Sequence, residues 1–168
     1  MSMPLLKQLE VALRERNPNL AQSLKPGLPA AKIRQILQRA GVEGDVEPVV
    51  TLFTWKNGCQ PDPGNTMRLF PTLDYQFWDL KRMVIYFTAF QSLAKSNPKL
   101  LELASRFFPL FWNGASAWLA VDLQPAHHNQ VVVIDAAAER PVEPLCHSFD
   151  QFLREAIQPS GVGNPRGG

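Results

Sequence analysis

The chain has 168 residues, of which 45% are hydrophobic and 19% charged, with 17 lysines and arginines against 15 acids. That size suits one packed domain and that balance excludes a disordered chain, while a net charge of +2 excludes a general electrostatic drive toward phosphate backbones or anionic lipid. Cys59 and Cys146 are too few for a disulfide framework, the opening residues lack a secretory pattern and no apolar run reaches the ~18 residues that cross a bilayer, so a reduced, cytoplasmic setting is expected.

Charge is unevenly spread: residues 1–42 carry +5, residues 43–80 carry −4 and residues 81–168 carry +1. Met3 to Arg16 places Leu5, Leu6, Leu9, Ala12 and Leu13 on one face at helical spacing, which predicts an amphipathic helix packed on the core and ended by Asn17-Pro18-Asn19. A second helix is expected over Ala30 to Ala40, with Gly41 capping its C-terminus. Glu47 to Trp55 reads as a short, strongly apolar helix, and Asn57-Gly58 directly after it predicts a sharp chain reversal. Cys59 to Thr66 is a surface loop and lacks a phosphate-binding glycine pattern. Trp78 to Lys95 has the period of a long helix, followed by another from Pro98 to about Arg106 that Asn97 can cap.

Three apolar runs come next, Phe107 to Trp112, Ala117 to Leu123 and Val131 to Ile134, and they read as three sequential strands. The unalternating run Val131-Val132-Val133-Ile134 predicts a central strand covered on both faces. Ala136 to His147, with Pro141 and Pro144, is expected to be a linker, and Phe149 to Ile157 a terminal helix. The Gly- and Pro-containing tail, residues 159–168, is expected to be flexible. The fold class predicted is α+β: one domain over residues 1–158 with an N-terminal helical extension to about residue 28. Its antiparallel sheet is drawn from the Leu69, Phe108, Trp118 and Val132 regions.

The run from Glu47 to Gly58, Glu-Pro-Val-Val-Thr-Leu-Phe-Thr-Trp-Lys-Asn-Gly, resembles the helix and Asn-Gly signature of the SUKH superfamily, the Smi and Knr-like proteins. Arg68-Leu69-Phe70-Pro71, Phe108-Pro109-Leu110-Phe111, Trp118 to Leu123 after Gly114, Val131 to Ile134 and the Ser148 to Leu153 closing helix follow in the family's order, over roughly residues 29–157. The resemblance implies a non-enzymatic binding protein without a cofactor. In bacteria such domains commonly act as immunity proteins that neutralise a cognate toxin domain of an interbacterial or contact-dependent system. In fungi related domains work as interaction modules. The near-neutral charge of this chain departs from the acidity usual in inhibitors of basic nucleases.

Residue chemistry offers several candidate sites. His127-His128 and Cys146-His147 lack the spacings of structural zinc sites, so no metal is expected. A Cys-His nucleophile needs an activating neighbour that sequence does not supply, and Ser116 lacks the flanking glycines of a nucleophile elbow. Asp122 and Asp135, at the ends of neighbouring strands, form a carboxylate pair that proximity could poise for acid/base work, and a small hydrolase or metal enzyme built on them with His127 and His128 is the enzymatic alternative. The protein-binding reading rests on the acidic segment: Glu43, Asp45, Asp62, Asp74 and Asp79, interleaved with Tyr75 and Trp78, are the expected contact residues for a basic protein partner.

Overall fold

The computed structural model describes residues 2–61, 67–70 and 73–158, and of Lys99, Leu101 and Glu102 the backbone alone. It is an α+β fold in which a four-stranded antiparallel meander carries helices from both ends of the chain. Helix α1 (Ser2–Arg16) buries Leu6, Leu9 and Leu13, the stripe that its periodicity predicts. Asn17 then caps α2 (Pro18–Ser23), its side chain accepting from the Leu20 amide at 3.2 Å. Strand β1 (Leu24–Pro26) pairs antiparallel with β2 (Lys56–Cys59), and between them run α3 (Ala30–Arg39) and α4 (Glu47–Trp55). After α5 (Leu80–Ser96), a single 3₁₀ turn and α6 (Leu101–Arg106) lead into the sheet.

The sheet follows chain order, β3 (Phe107–Trp112), β4 (Ala117–Asp122), β5 (Val131–Asp135) and β6 (Val142–Cys146), and α7 (Phe149–Ile157) closes the fold. Alternation along β4 divides two cores. Leu119 and Val121 face the larger one with α1, α3, α4 and α7, and Trp118 and Ala120 face a smaller one with Phe90 of α5. Rings run through the larger core, Phe53 to Phe77 to Phe111 and on to Phe152, with centroids 5.4 to 6.0 Å apart. Each such ring, fully buried, stabilises the fold by roughly 1.5–3 kcal/mol. Ser148 caps α7 by accepting from the Gln151 amide at 3.1 Å. The Val131 to Ile134 run lies between β4 and β6 and contributes to both cores, as its unbroken apolarity predicts.

Three expectations are corrected. The segment read as a linker, residues 136–147, contains β6. Pro144 hid it, yet an edge strand tolerates a residue without an amide proton, and Leu145 bulges out of register beside it. These two features also blunt the free edge against strand addition. The Leu69 region is not a strand of the sheet: Arg68 bridges Gln76, which bridges Trp112 at the outer edge of β3. Pro71, in the same motif, lies outside the described residues.

Asn57-Gly58 is the third. It does not reverse the chain but continues as β2 and receives the start of α5. Asn57 Oδ1 accepts from the Leu80 amide at 2.9 Å, and Gly58, at φ +81°, lies so close to the next segment that a Cβ would sit 2.5 Å from Asp79 N.

Candidate functional site

Asp122 is the single buried charged residue among those described, with 0% of its surface exposed. It ends β4, where the β3–β4 register sets it opposite Phe107 and brings Arg106, the last residue of α6, beside it. Arg106 donates from Nε and Nη2 to Asp122 Oδ2 at 3.1 and 2.8 Å, and the Gln124 amide donates to Oδ1 at 3.0 Å. His127 Nδ1 lies 2.7 Å from the same Oδ2. Burial by itself would raise this carboxyl, but the hydrogen bonds of Arg106, Gln124 and His127 outweigh it and hold its pKa below the ordinary value.

One carboxylate therefore pins the β4–β5 loop to the end of α6. The β4–β5 loop is further fixed by a 3₁₀ turn, Pro125–His127, and by two consecutive left-handed residues, His128 and Asn129, at φ +50° and +57°. Asn129 Nδ2 reaches the carbonyls of Asp45 and Asp122, both at 3.4 Å, and the Asp45 amide donates to the Leu123 carbonyl at 2.7 Å. Loops from residues 43–45 and 124–129 thus form one rigid rim at this end of the sheet. An open hollow of about 520 Å³ lies there, lined by Glu43, Gly44, Ser105, Arg106, Gln124 and Pro125 among others. A second is lined by Glu47, His128, Asn129, Ser148 and Asp150 among others.

The residues expected to bind a partner do not form one patch. Glu43 and Asp45 are on this rim, where Asp45 Oδ1 also accepts from the Glu47 amide at 3.2 Å. Asp74, Tyr75, Trp78 and Asp79 follow the outer edge of β3 toward α5, and this strip meets the sheet where Gln76 bridges Trp112, the opposite end from Asp122. Most of that strip is already engaged: Asp74 pairs with Arg68, and Asp79 with Lys25 at 3.0 Å. Asp79 also caps α5 by accepting from the Arg82 amide at 2.9 Å, and the Trp78 indole donates to Gln76 while Arg82 stacks on its ring. Burial would raise the Asp79 carboxyl, but the Arg82 amide and Lys25 lower it further. Asp62 lies outside the described residues.

Asp122 and Asp135 are not brought together. β4 pairs Val121 with Val131 and Ala117 with Asp135, so the two carboxylates sit at opposite ends of the strand, roughly 16 Å apart at ~3.3 Å per residue. His127 joins Asp122 while His128 lines the second hollow, so the constellation imagined for a hydrolase is divided. Arg106, Gln124 and Asn129 complete this cluster and are not among the residues expected from the sequence. A lone aspartate ending an apolar strand was the available signal, since such a charge demands a partner and Arg106 immediately precedes the strand that pairs with it.

Both cysteines are buried. Burial pushes each thiol up to about 12; Ser23 and Lys25 oppose the shift at Cys59, whereas Glu155, 3.4 Å from the Cys146 sulfur, adds to it. Neither thiol is expected to be alkylated by iodoacetamide in the folded protein at about pH 8, where ordinary thiols ionise substantially. Mass spectrometry checks this, with full labelling in guanidinium as the control; rapid native labelling would contradict it.

The chain matches no protein-family model and no curated protein. Among the described residues no helix is long and apolar enough to cross a membrane.

Proposed function

We propose that the chain is a non-enzymatic protein-binding domain whose contact surface is the rim formed by residues 43–45 and 124–129. The observation that supports this reading is Asp122: a fully buried carboxylate bonded to Arg106 of α6 and to Gln124 and His127 gives the β4–β5 loop one conformation before any partner arrives, and Asn129 ties residues 43–45 to it. A surface so preorganised loses little entropy on binding. Its hollows are broad and open, the relief that suits a protein contour better than a small metabolite. Taken with the SUKH resemblance, the favoured role is that of an immunity protein which neutralises a cognate toxin domain. A regulatory or scaffold module would use the same rim.

Glu43 and Asp45 give the rim its negative charge and suit a basic partner, at smaller scale than a wholly acidic inhibitor. The test is Glu43→Lys, assayed against a toxin domain encoded beside this chain's gene. Association is expected to slow by about tenfold at low salt and the deficit to shrink as salt is added, with protection of toxin-expressing cells reduced in parallel. Unaltered association at low salt and full protection would sink the proposal.

A further inference from the structure

The solvent face of α5 (Leu80–Ser96) has a composition that its own fold does not explain. At about 100° per residue, Ile85 falls in the middle of the exposed arc, and it is 54% exposed. Thr88, Ala89 and Ser92 fill the next two turns with small side chains. The Thr88 hydroxyl donates to the Ile85 carbonyl at 2.9 Å and that of Ser92 to the Thr88 carbonyl at 3.4 Å, so both are satisfied within the helix and can be covered at little desolvation cost. A low ridge of this kind lets a second helix approach closely.

Charge points the same way. Lys81 and Arg82 occupy the first turn and Lys95 the last, and no Asp or Glu lies between Leu80 and Ser96. A cation in a first turn opposes the helix dipole, so Lys81 costs this helix stability, whereas Arg82 stacks on Trp78 and is attracted by Asp79. Among the described residues neither Lys81 nor Lys95 has a carboxylate partner. At the far end of the ridge Leu93, 44% exposed, forms the lip of a shallow dimple of about 20 Å³ whose other walls are Phe90, Leu100, Leu103, Ile134 and Ala136. Every wall is apolar.

We infer that the outer face of α5, from Lys81 past Ile85 to Leu93 and Lys95, forms a docking surface for an acidic amphipathic helix of a protein partner. Apolar side chains of that helix cover Ile85 and Leu93, and its carboxylates meet Lys81 and Lys95. The surface is distinct from the rim around Asp122 and its charge preference is opposite, so the two proposals fail independently. Two cations and two exposed apolar side chains are a weak hold on anionic lipid, at about 1 kcal/mol per basic residue.

The probe is a fluorescent synthetic 18-residue peptide of Leu, Ala and Glu with leucines at helical spacing, compared with the same peptide carrying Lys in place of Glu. Fluorescence anisotropy at low salt is expected to show binding of the acidic peptide alone. Ile85→Ser, and separately Lys81→Glu with Lys95→Glu, should each weaken it by about tenfold, the scale of one lost apolar or charged contact. These residues are exposed, so thermal melts of the variants should match wild type, and Glu43→Lys should leave peptide binding unchanged. The inference is overturned if the acidic peptide does not bind, if the variants bind it as wild type does, or if the Lys peptide binds equally. It is also overturned if phosphatidylserine vesicles retain the protein where the peptide does not. Ile85-dependent dimers in sedimentation velocity, without peptide binding, would assign the face to a second copy instead.

Discussion

Replacing Asp122 with alanine is expected to destabilise the fold by about 3 kcal/mol, the lower end of what breaking one side of a buried ion pair costs, because Arg106 is 29% exposed and can partly rehydrate. The substitution leaves the Arg106 guanidinium and the Gln124 amide without their acceptor and frees the loop that His127 holds. Asp122→Asn keeps the size and removes the charge, and should cost nearly as much. Urea denaturation measures both, and the comparison with pH identifies the cause. The Asp122 carboxyl titrates below its ordinary value in the folded protein. Its contribution is therefore complete above the unfolded pKa of about 3.9 and is lost as pH falls through the lower folded value. The gap between wild type and Asp122→Asn should stay constant from neutral pH to about pH 5 and close in the acid range below about pH 4. A gap that is small at neutral pH, or that persists unchanged in acid, would show that the carboxylate charge does not hold these loops.

Gly58→Ala is expected to lower the melting temperature by roughly 10 °C, from about 3 kcal/mol of lost stability in a chain of this size. Two costs combine. An L-residue at φ +81° is strained by about 1–2 kcal/mol, and its Cβ would stand 2.5 Å from the Asp79 backbone nitrogen, where only movement of β2 away from α5 relieves the clash. Gly41→Ala is the internal control. Its φ is +78° but nothing lies within 4 Å of a Cβ there, so it carries the strain alone. Equal losses at the two positions would refute the close packing of Asn57-Gly58 on the start of α5.

Much of this fold is legible in the residues because its signals are local. The helix Glu47–Trp55 begins on Glu-Pro and ends before Asn-Gly, and the cap of Ser148 opens α7 with its four buried positions. Strands β3 to β5 are unbroken apolar runs that only a covered sheet accommodates. What was illegible depends on partners distant in sequence. β6 reads as a linker until its position at the edge excuses Pro144, and β1 is three residues whose pairing with β2 nothing nearby announces.

The candidate site divides on the same principle. Composition located Glu43 and Asp45, but it could not show that Asp74 and Asp79 are engaged by Arg68 and Lys25, pairs separated by 6 and 54 positions. Nor could it show that Asp122 and Asp135 point to opposite ends of the sheet, which follows from strand register alone. The rim around Asp122 exists because the hairpin returns that residue to Arg106, and the chemistry of either residue by itself does not announce it.

The most direct test of the account is amide hydrogen exchange of the protein free and in complex with the protein that co-purifies with it from its host. In the free protein, residues 43–45 and 124–129 should already exchange slowly for loops, and Asp122→Asn should accelerate them. On binding, the same peptides should gain the greatest protection. Protection confined to other surfaces, with these two loops exchanging identically in the free and bound protein, would contradict the assignment of the rim as the binding site.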